Sequence, residues 1–294
     1  MSYLKVFKFK IPIQGMFAII TNSYLVGFFT GTIYSGDLKA ACLPGLNCYS
    51  CPGALGSCPI GALQVFTGSR GAAFPLYIVG FLTVIGAFFG RFVCGFLCPF
   101  GLFQDLLYKV PFLKKIGTLP GDRLLKYLPY GILVIFVIIM PIFAVDATGL
   151  GSPAFCKIIC PSGTLGAGIP LVLTNESIVS AIGLQYWWKI TLLTFFVILS
   201  VIAYRPFCRY ICPLGAVYGL FNPIAFLGFE IDKSTCTECG VCKNICKWNI
   251  DVNKSPNSWE CIRCGKCITG CSNNAIVYKG FKKRKQNILV IKEN

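Results

Sequence analysis

Arg91-Phe-Val-Cys94-Gly-Phe-Leu-Cys98-Pro99 closes an apolar run and returns as Arg205-Pro-Phe-Cys208-Arg-Tyr-Ile-Cys212-Pro213. Cysteines four apart share one face of a helix, one turn from each other. The proline that follows has no N–H with which to continue that helix, so each copy reads as two thiols at a helix end. Two such pairs supply four thiolates, the number that one iron–sulfur cluster takes. What surrounds the pairs decides how they are read.

Of 294 residues, 55% are hydrophobic and 13% charged, against about 25% charge in an ordinary soluble domain. Most of this chain is therefore expected outside water. It has 18 cysteines and no histidine, which removes bis-histidine haem, Rieske ligation, histidine-bound zinc or copper and histidine acid–base catalysis together. Thiolate is left for metal chemistry. A disulfide scaffold belongs to short secreted chains rather than to a long apolar one.

Four apolar runs can cross a bilayer: residues 16–35, 74 onward into Cys94, 128–145 and 187–204. A basic tail before the first run also describes a signal peptide, but the run has a counterpart later in the chain and reads as an anchor. Of 27 Lys and Arg, 23 fall in the N-terminal tail, in 91–127 and from Arg205 onward. That asymmetry makes membrane lipid, not nucleic acid, the expected partner of the +16 net charge, and places both termini in the cytoplasm of a multi-pass inner-membrane protein. Cys94/Cys98 and Cys208/Cys212 then form an inner set, while Cys42, Cys48, Cys51, Cys58, Cys156 and Cys160 lie toward the outer face. The segments 99–107 and 213–229 read as interfacial.

The order span, outer Cys-Pro loop, span, inner Cys pair occurs twice, with Cys51-Pro aligned to Cys160-Pro and Cys94 to Cys208. Two halves of equal orientation imply a pseudo-twofold along the membrane normal, which brings each half-site opposite its copy. For the inner four the choices are a cluster, a redox-active thiol site, or cysteine as a small buried hydrophobe. Arg91 and Arg205 either offset thiolate charge or snorkel to headgroups. In the outer set Cys48, Cys51, Cys58, Cys156 and Cys160 are candidate ligands with Cys42 spare, and disulfides are a rival.

From Cys236 the chain turns polar. Cys236-x2-Cys239-x2-Cys242-x3-Cys246 is repeated as Cys261-x2-Cys264-x2-Cys267-x3-Cys271. In such runs the close trio holds one 4Fe–4S cube and the fourth cysteine reaches the other cube. One cluster would use Cys236, Cys239, Cys242 and Cys271, the other Cys261, Cys264, Cys267 and Cys246. A zinc site also uses C-x2-C pairs, but two tandem four-cysteine runs go beyond it. Lys247 and Ser272 stand where the bacterial run has proline. The basic run 282–285 suits either anionic lipid or an acidic redox partner.

These motifs together resemble the polyferredoxin-like membrane proteins. That group includes the membrane ferredoxin-type subunit of periplasmic nitrate reductase systems, the nitrous-oxide-reductase regulators and the cytochrome oxidase accessory proteins. The resemblance implies electron transfer between a cytoplasmic or quinone pool and a partner across the membrane, such as an extracytoplasmic reductase fed by a cytoplasmic donor. It implies a subunit of an oxidoreductase system more than a stand-alone enzyme. The expected fold is an α-helical integral membrane protein, four transmembrane helices in a duplicated two-helix repeat, plus a small C-terminal α+β two-cluster ferredoxin domain. Its segments are a tail 1–15, a membrane domain 16–232, the ferredoxin 233–280 and a basic tail 281–294. Two 4Fe–4S clusters are expected in the ferredoxin, and one or two more in the membrane domain. Copper reduction or redox sensing by the membrane thiols remains the alternative.

Overall fold

A computed structural model describes residues 9–68, 76–111, 114–144, 151–180 and 182–279. Lys5, Lys8, Arg70 and the basic tail 281–294 lie outside them. Two helices are long and apolar enough to cross a membrane, Asp122–Phe143 with 22 residues and Leu184–Ile202 with 19. Only 22% and 17% of their apolar windows are buried within the protein. A soluble core helix would hide such residues, and this exposure fits helices that face lipid.

The other two apolar runs are shorter helices, Lys10–Thr21 and Leu76–Phe89. The run 16–35 is not one helix. It breaks after Thr21, where Tyr24 N donates to Gly53 O and Leu55 N to Thr21 O, and resumes only over Val26–Thr30. The cysteine-rich loop takes the hydrogen bonds that a continuous helix would have used. Leu76–Phe89 ends at Gly90, whose φ of +52° turns the chain before Arg91.

The cysteine pairs are also built differently from the expectation. Cys94 lies in the short helix Phe92–Phe96, while Cys98 is extended and caps a new helix, Pro99–Lys109. The proline starts a helix at its first position, where the missing N–H costs nothing. The same start recurs at Cys58 before Pro59–Thr67, at Cys160 before Pro161–Gly163 and at Cys212 before Pro213–Phe221. Cys58, not Cys51, is thus the structural counterpart of Cys160, because Cys51-Pro52 opens a turn and no helix.

Helix Pro213–Phe221 buries Pro213, Leu214, Gly215, Ala216, Tyr218 and Gly219 within the protein. It packs in one continuous core with Cys58, Cys94, Cys98, Cys160 and Cys212. The loop carrying Cys42 and Cys58 enters that core as well: Tyr218 Oη donates to Pro44 O at 3.0 Å. The C-terminal module consists of the antiparallel strands Phe229–Ile231 and Ile276–Tyr278 with two one-turn helices, Val241–Ile245 and Lys266–Thr269. Its Trp248, Ile250 and Ile262 belong to the membrane-domain core, with Cys246, Cys261 and Cys264 packed on it.

Candidate metal centres

All eighteen cysteines are free thiols, and they gather into groups. In the C-terminal module, Cys236, Cys239, Cys242 and Cys271 line one pocket. Cys267 lies within electrostatic range of Cys261, Cys264 and Cys246. These are the two crossed sets that the spacing predicts. The backbone is duplicated with them. Glu238 and Arg263 take φ of 52° and 54°, Asn249 and Asn274 take 53° and 50°, and Gly240 and Gly265 take 73° and 74°. Left-handed residues at matched places fold each C-x2-C loop back on itself, so its sulfurs face inward. Burial pushes the Cys261 thiol up to about 12, against backbone and Arg263 contributions that favour its charged form.

The four inner thiols form a third group. Cys208 is in range of Cys98 and Cys94, and Cys212 of Cys208, Cys94 and Cys98. Two arginines hold the group crosswise. Arg205 Nη1 donates to Cys94 O, and Arg91 Nη2 donates to Cys208 O at 3.0 Å. Each repeat therefore grips the cysteine of the other. Glycines make room for this: a Cβ on Gly101 would lie 3.1 Å from Arg205 Nη1, and one on Gly215 2.7 Å from Arg91 Nη2. Both guanidiniums are buried, at 0% and 4% exposure, so neither reaches the headgroups and the snorkelling alternative is corrected.

Asp105 neutralises Arg205 with a two-pronged pair, 2.7 Å to Nε and 2.6 Å to Nη2, and also takes Lys10 at 2.7 Å. Burial raises the Asp105 carboxyl, but the Arg205 charge and bonds win and hold it well below the usual carboxylate range. Among the described residues no carboxylate pairs with Arg91; it meets Trp259 O at 3.0 Å and stacks 5.3 Å from the Trp248 ring. Its guanidinium also bonds the Cys94 side chain, and a buried cation needs an anion nearby. A thiolate-held cluster is such an anion, and the residues present fit one. Gln104 Nε2 adds a hydrogen bond to Cys208 Sγ at 3.0 Å, and Gln14 Nε2 fixes Cys98 O at 2.9 Å.

The outer group is Cys48, Cys58, Cys156 and Cys160, which line one cavity of about 300 Å³. A Cβ on Gly163 would sit 3.5 Å from Cys48 Sγ, so glycine keeps the cavity wall low there. Gln64 Nε2 donates to Cys156 Sγ at 3.3 Å, and Lys189 Nζ to Cys156 O at 2.8 Å. Of the five expected outer ligands, Cys51 stands aside: it lines another pocket with Cys48 and faces Asn22 Oδ1 at 3.8 Å. Cys42 is outside the group too. Among the described residues, no three Cys, Asp or Glu side chains close around the position of a single ion. One tetrahedral ion with bonds of about 2.3 Å draws its sulfurs tightly together, whereas a cube spreads them.

Sequence reasoning missed Asp105, Gln64, Gln104, Asn222 and Arg263. A signal existed for the glutamines, since Cys58-Pro-Ile-Gly-Ala-Leu-Gln64 and Cys98-Pro-Phe-Gly-Leu-Phe-Gln104 share one pattern. Asp105 is a lone acid in an apolar stretch. Nothing in the sequence marks Asn222.

A model of the family described as "4Fe-4S binding domain" matches residues 71–118, 133–170 and 185–229. Those segments carry both inner pairs and Cys156/Cys160. An uncharacterised protein of Methanocaldococcus jannaschii is 29% identical over 238 residues, covering 77% of this chain and 88% of its own. The ferredoxin-type protein NapH of Haemophilus influenzae is 25% identical, with 68% of this chain and 65% of that one covered. The methylamine utilization ferredoxin-type protein MauN of Methylorubrum extorquens is 27% identical, with 66% and 58% covered. No solved structure matches the chain.

Proposed function

We propose that this chain, one of the polyferredoxin-like 4Fe–4S membrane proteins, relays single electrons between a redox partner at its ferredoxin end and one at or across the membrane. One observation carries the reading: Cys246, Cys261 and Cys264 of the ferredoxin pack on the same core that contains Cys94, Cys98 and Cys212. A relay needs its centres close, with water kept out between them.

Cys236, Cys239, Cys242 and Cys271 would hold one 4Fe–4S cluster, and Cys261, Cys264, Cys267 and Cys246 a second. Cys94, Cys98, Cys208 and Cys212 would hold a third, and Cys48, Cys58, Cys156 and Cys160 a fourth. When bound, such clusters supply one-electron redox centres. The chain's own residues hold the thiolates, donate to sulfur through Gln104 and Gln64, and balance charge through Arg91. The reading includes four membrane crossings within 16–232, with Leu76–Phe89 and the broken 10–30 segment beside the two long helices. The ferredoxin module 233–280 and both termini lie on the cytoplasmic side of the inner membrane, as the Lys and Arg count implies. A cytoplasmic donor and an extracytoplasmic reductase are the partners it fits.

Iron and acid-labile sulfide on anaerobically purified protein test it. About twelve to sixteen irons per chain are expected, and a value near eight would sink the membrane clusters. Cu(I) binding that disappears in the Cys94, Cys98, Cys208 and Cys212 serine variants, with iron unchanged, would favour copper handling instead.

A further inference from the structure

The two C-x2-C loops of the ferredoxin share a backbone and differ in charge. Glu238 occupies the middle of the first, and Arg263 the middle of the second, each left-handed. Glu238 and its neighbour Cys239 are exposed. Arg263 is 0% exposed; Nη1 donates to Phe89 O at 3.0 Å and Nη2 to Asn222 O at 2.6 Å. A Cβ on Gly90 would stand 3.1 Å from Arg263 Nη1, so the turn at Gly90 forms the socket. Among the described residues no carboxylate pairs with Arg263, and its Nε has no partner. A guanidinium does not lose its proton to escape such a place. Within its electrostatic range stand Cys261, a member of the second set, and the Tyr278 hydroxyl.

We infer that Arg263 is a potential-setting residue: its buried charge lifts the reduction potential of the second ferredoxin set above that of the first. Electrons then run inward, from the exposed Cys239 side to the docked set and on toward Cys94 and Cys208. Reduction adds one negative charge, which a fixed cation nearby stabilises and an anion opposes. Arg263 acts through protein, with little screening, while the opposing Glu238 acts through water. Desolvation of the docked set works against added charge, and Arg263 is the group that offsets it. In each transfer the first set loses one electron and the second gains it; a low-potential one-electron carrier of the ferredoxin or flavodoxin class replenishes the first. The inference rests on the relay reading given above.

Redox titration of the anaerobic full-length protein, followed by electron paramagnetic resonance with iron content measured alongside, tests it. Two ferredoxin signals with separate midpoints are expected. Arg263→Gln should lower the higher midpoint and leave the lower one in place, while Arg263→Lys should keep both. Glu238→Arg, at an exposed position, should raise the lower midpoint. An unchanged higher midpoint in Arg263→Gln at full iron content would overturn the inference, as would a Glu238→Arg shift confined to the higher signal. If Arg263→Gln loses iron, Arg263→Lys and Glu238→Arg decide by the same criteria. Wild-type protein without ferredoxin signals would mean that the relay reading itself had failed.

Discussion

The inner and outer thiol sets begin from one device and finish in different surroundings. In both, each repeat places a cysteine at the cap of a Cys-Pro-x-Gly helix, with sulfur facing the first free amides. Backbone N–H groups there favour negative charge on the thiol. At the inner set the glycines seat the opposite repeat's arginines, and the site is closed and nearly symmetric. At the outer set Gly163 faces a sulfur across a cavity that reaches exposed Lys157 and Gln185. There the first repeat lacks a cysteine four residues before Cys58 and supplies Cys48 from a loop instead. The same device thus stands in a buried group of thiols at one place and beside an open cavity at the other.

The largest expected effect tests whether the inner set is braced by charge. Asp105→Ala strands the Arg205 and Lys10 charges, which costs about 3–5 kcal/mol by the usual penalty for halving a buried pair. Thermal unfolding in detergent should show it as a large loss. Lys189→Ala at the outer cavity should cost under about 1 kcal/mol, because its neighbours leave it half-exposed. Equal losses in the two variants would erase the contrast.

Ligand identity comes next. Cys208→Ser and Cys48→Ser should each lower iron by up to about four per chain. Cys51→Ser should leave iron unchanged, and a loss there would return the outer set to its five-cysteine form. A smaller step removes the donors to sulfur. Gln104→Leu and Gln64→Leu should each destabilise by about 1–3 kcal/mol. Gln64 should cost more, because Phe155 N also donates to it, at 2.9 Å.

The smallest effect is on alkaline stability. Burial pushes Cys58 and Cys261 each up to about 12 in the fold, from about 8.5 in an open chain. A raised thiol contributes stability that is complete below the open-chain value and is lost as pH rises through the folded one. Metal-free protein should thus weaken between about pH 9 and 12. Loaded protein, its thiolates already ligated, should not follow that curve in chemical denaturation.

Spacing alone exposed much of this. The intervals from Cys236 to Cys271 marked eight thiols that the fold brings into two groups, because such spacing is local. The inner four were legible only as two local pairs, which the repeat then set opposite each other. The outer set was misaligned because Cys51-Pro-Gly-Ala-Leu-Gly imitates the run after Cys160 more closely than Cys58 does, and letter identity outweighed the helix start. Arg91 and Arg205 could not be resolved from sequence, since a helix-end arginine snorkels or turns inward according to what faces it. The break at Asn22 is likewise non-local, made by a loop about thirty residues later claiming the Thr21 carbonyl.

The socket of Arg263 also sets an order of assembly. Phe89, whose carbonyl receives the guanidinium, leaves the ribosome 174 residues before the arginine does. Asn222, which fixes Arg91 N at 2.9 Å and the Cys261 carbonyl at 2.7 Å, is made in between. The carbonyls of Phe89 and Asn222 are thus made before the arginine that joins them, so this contact closes only once the C-terminal module has emerged.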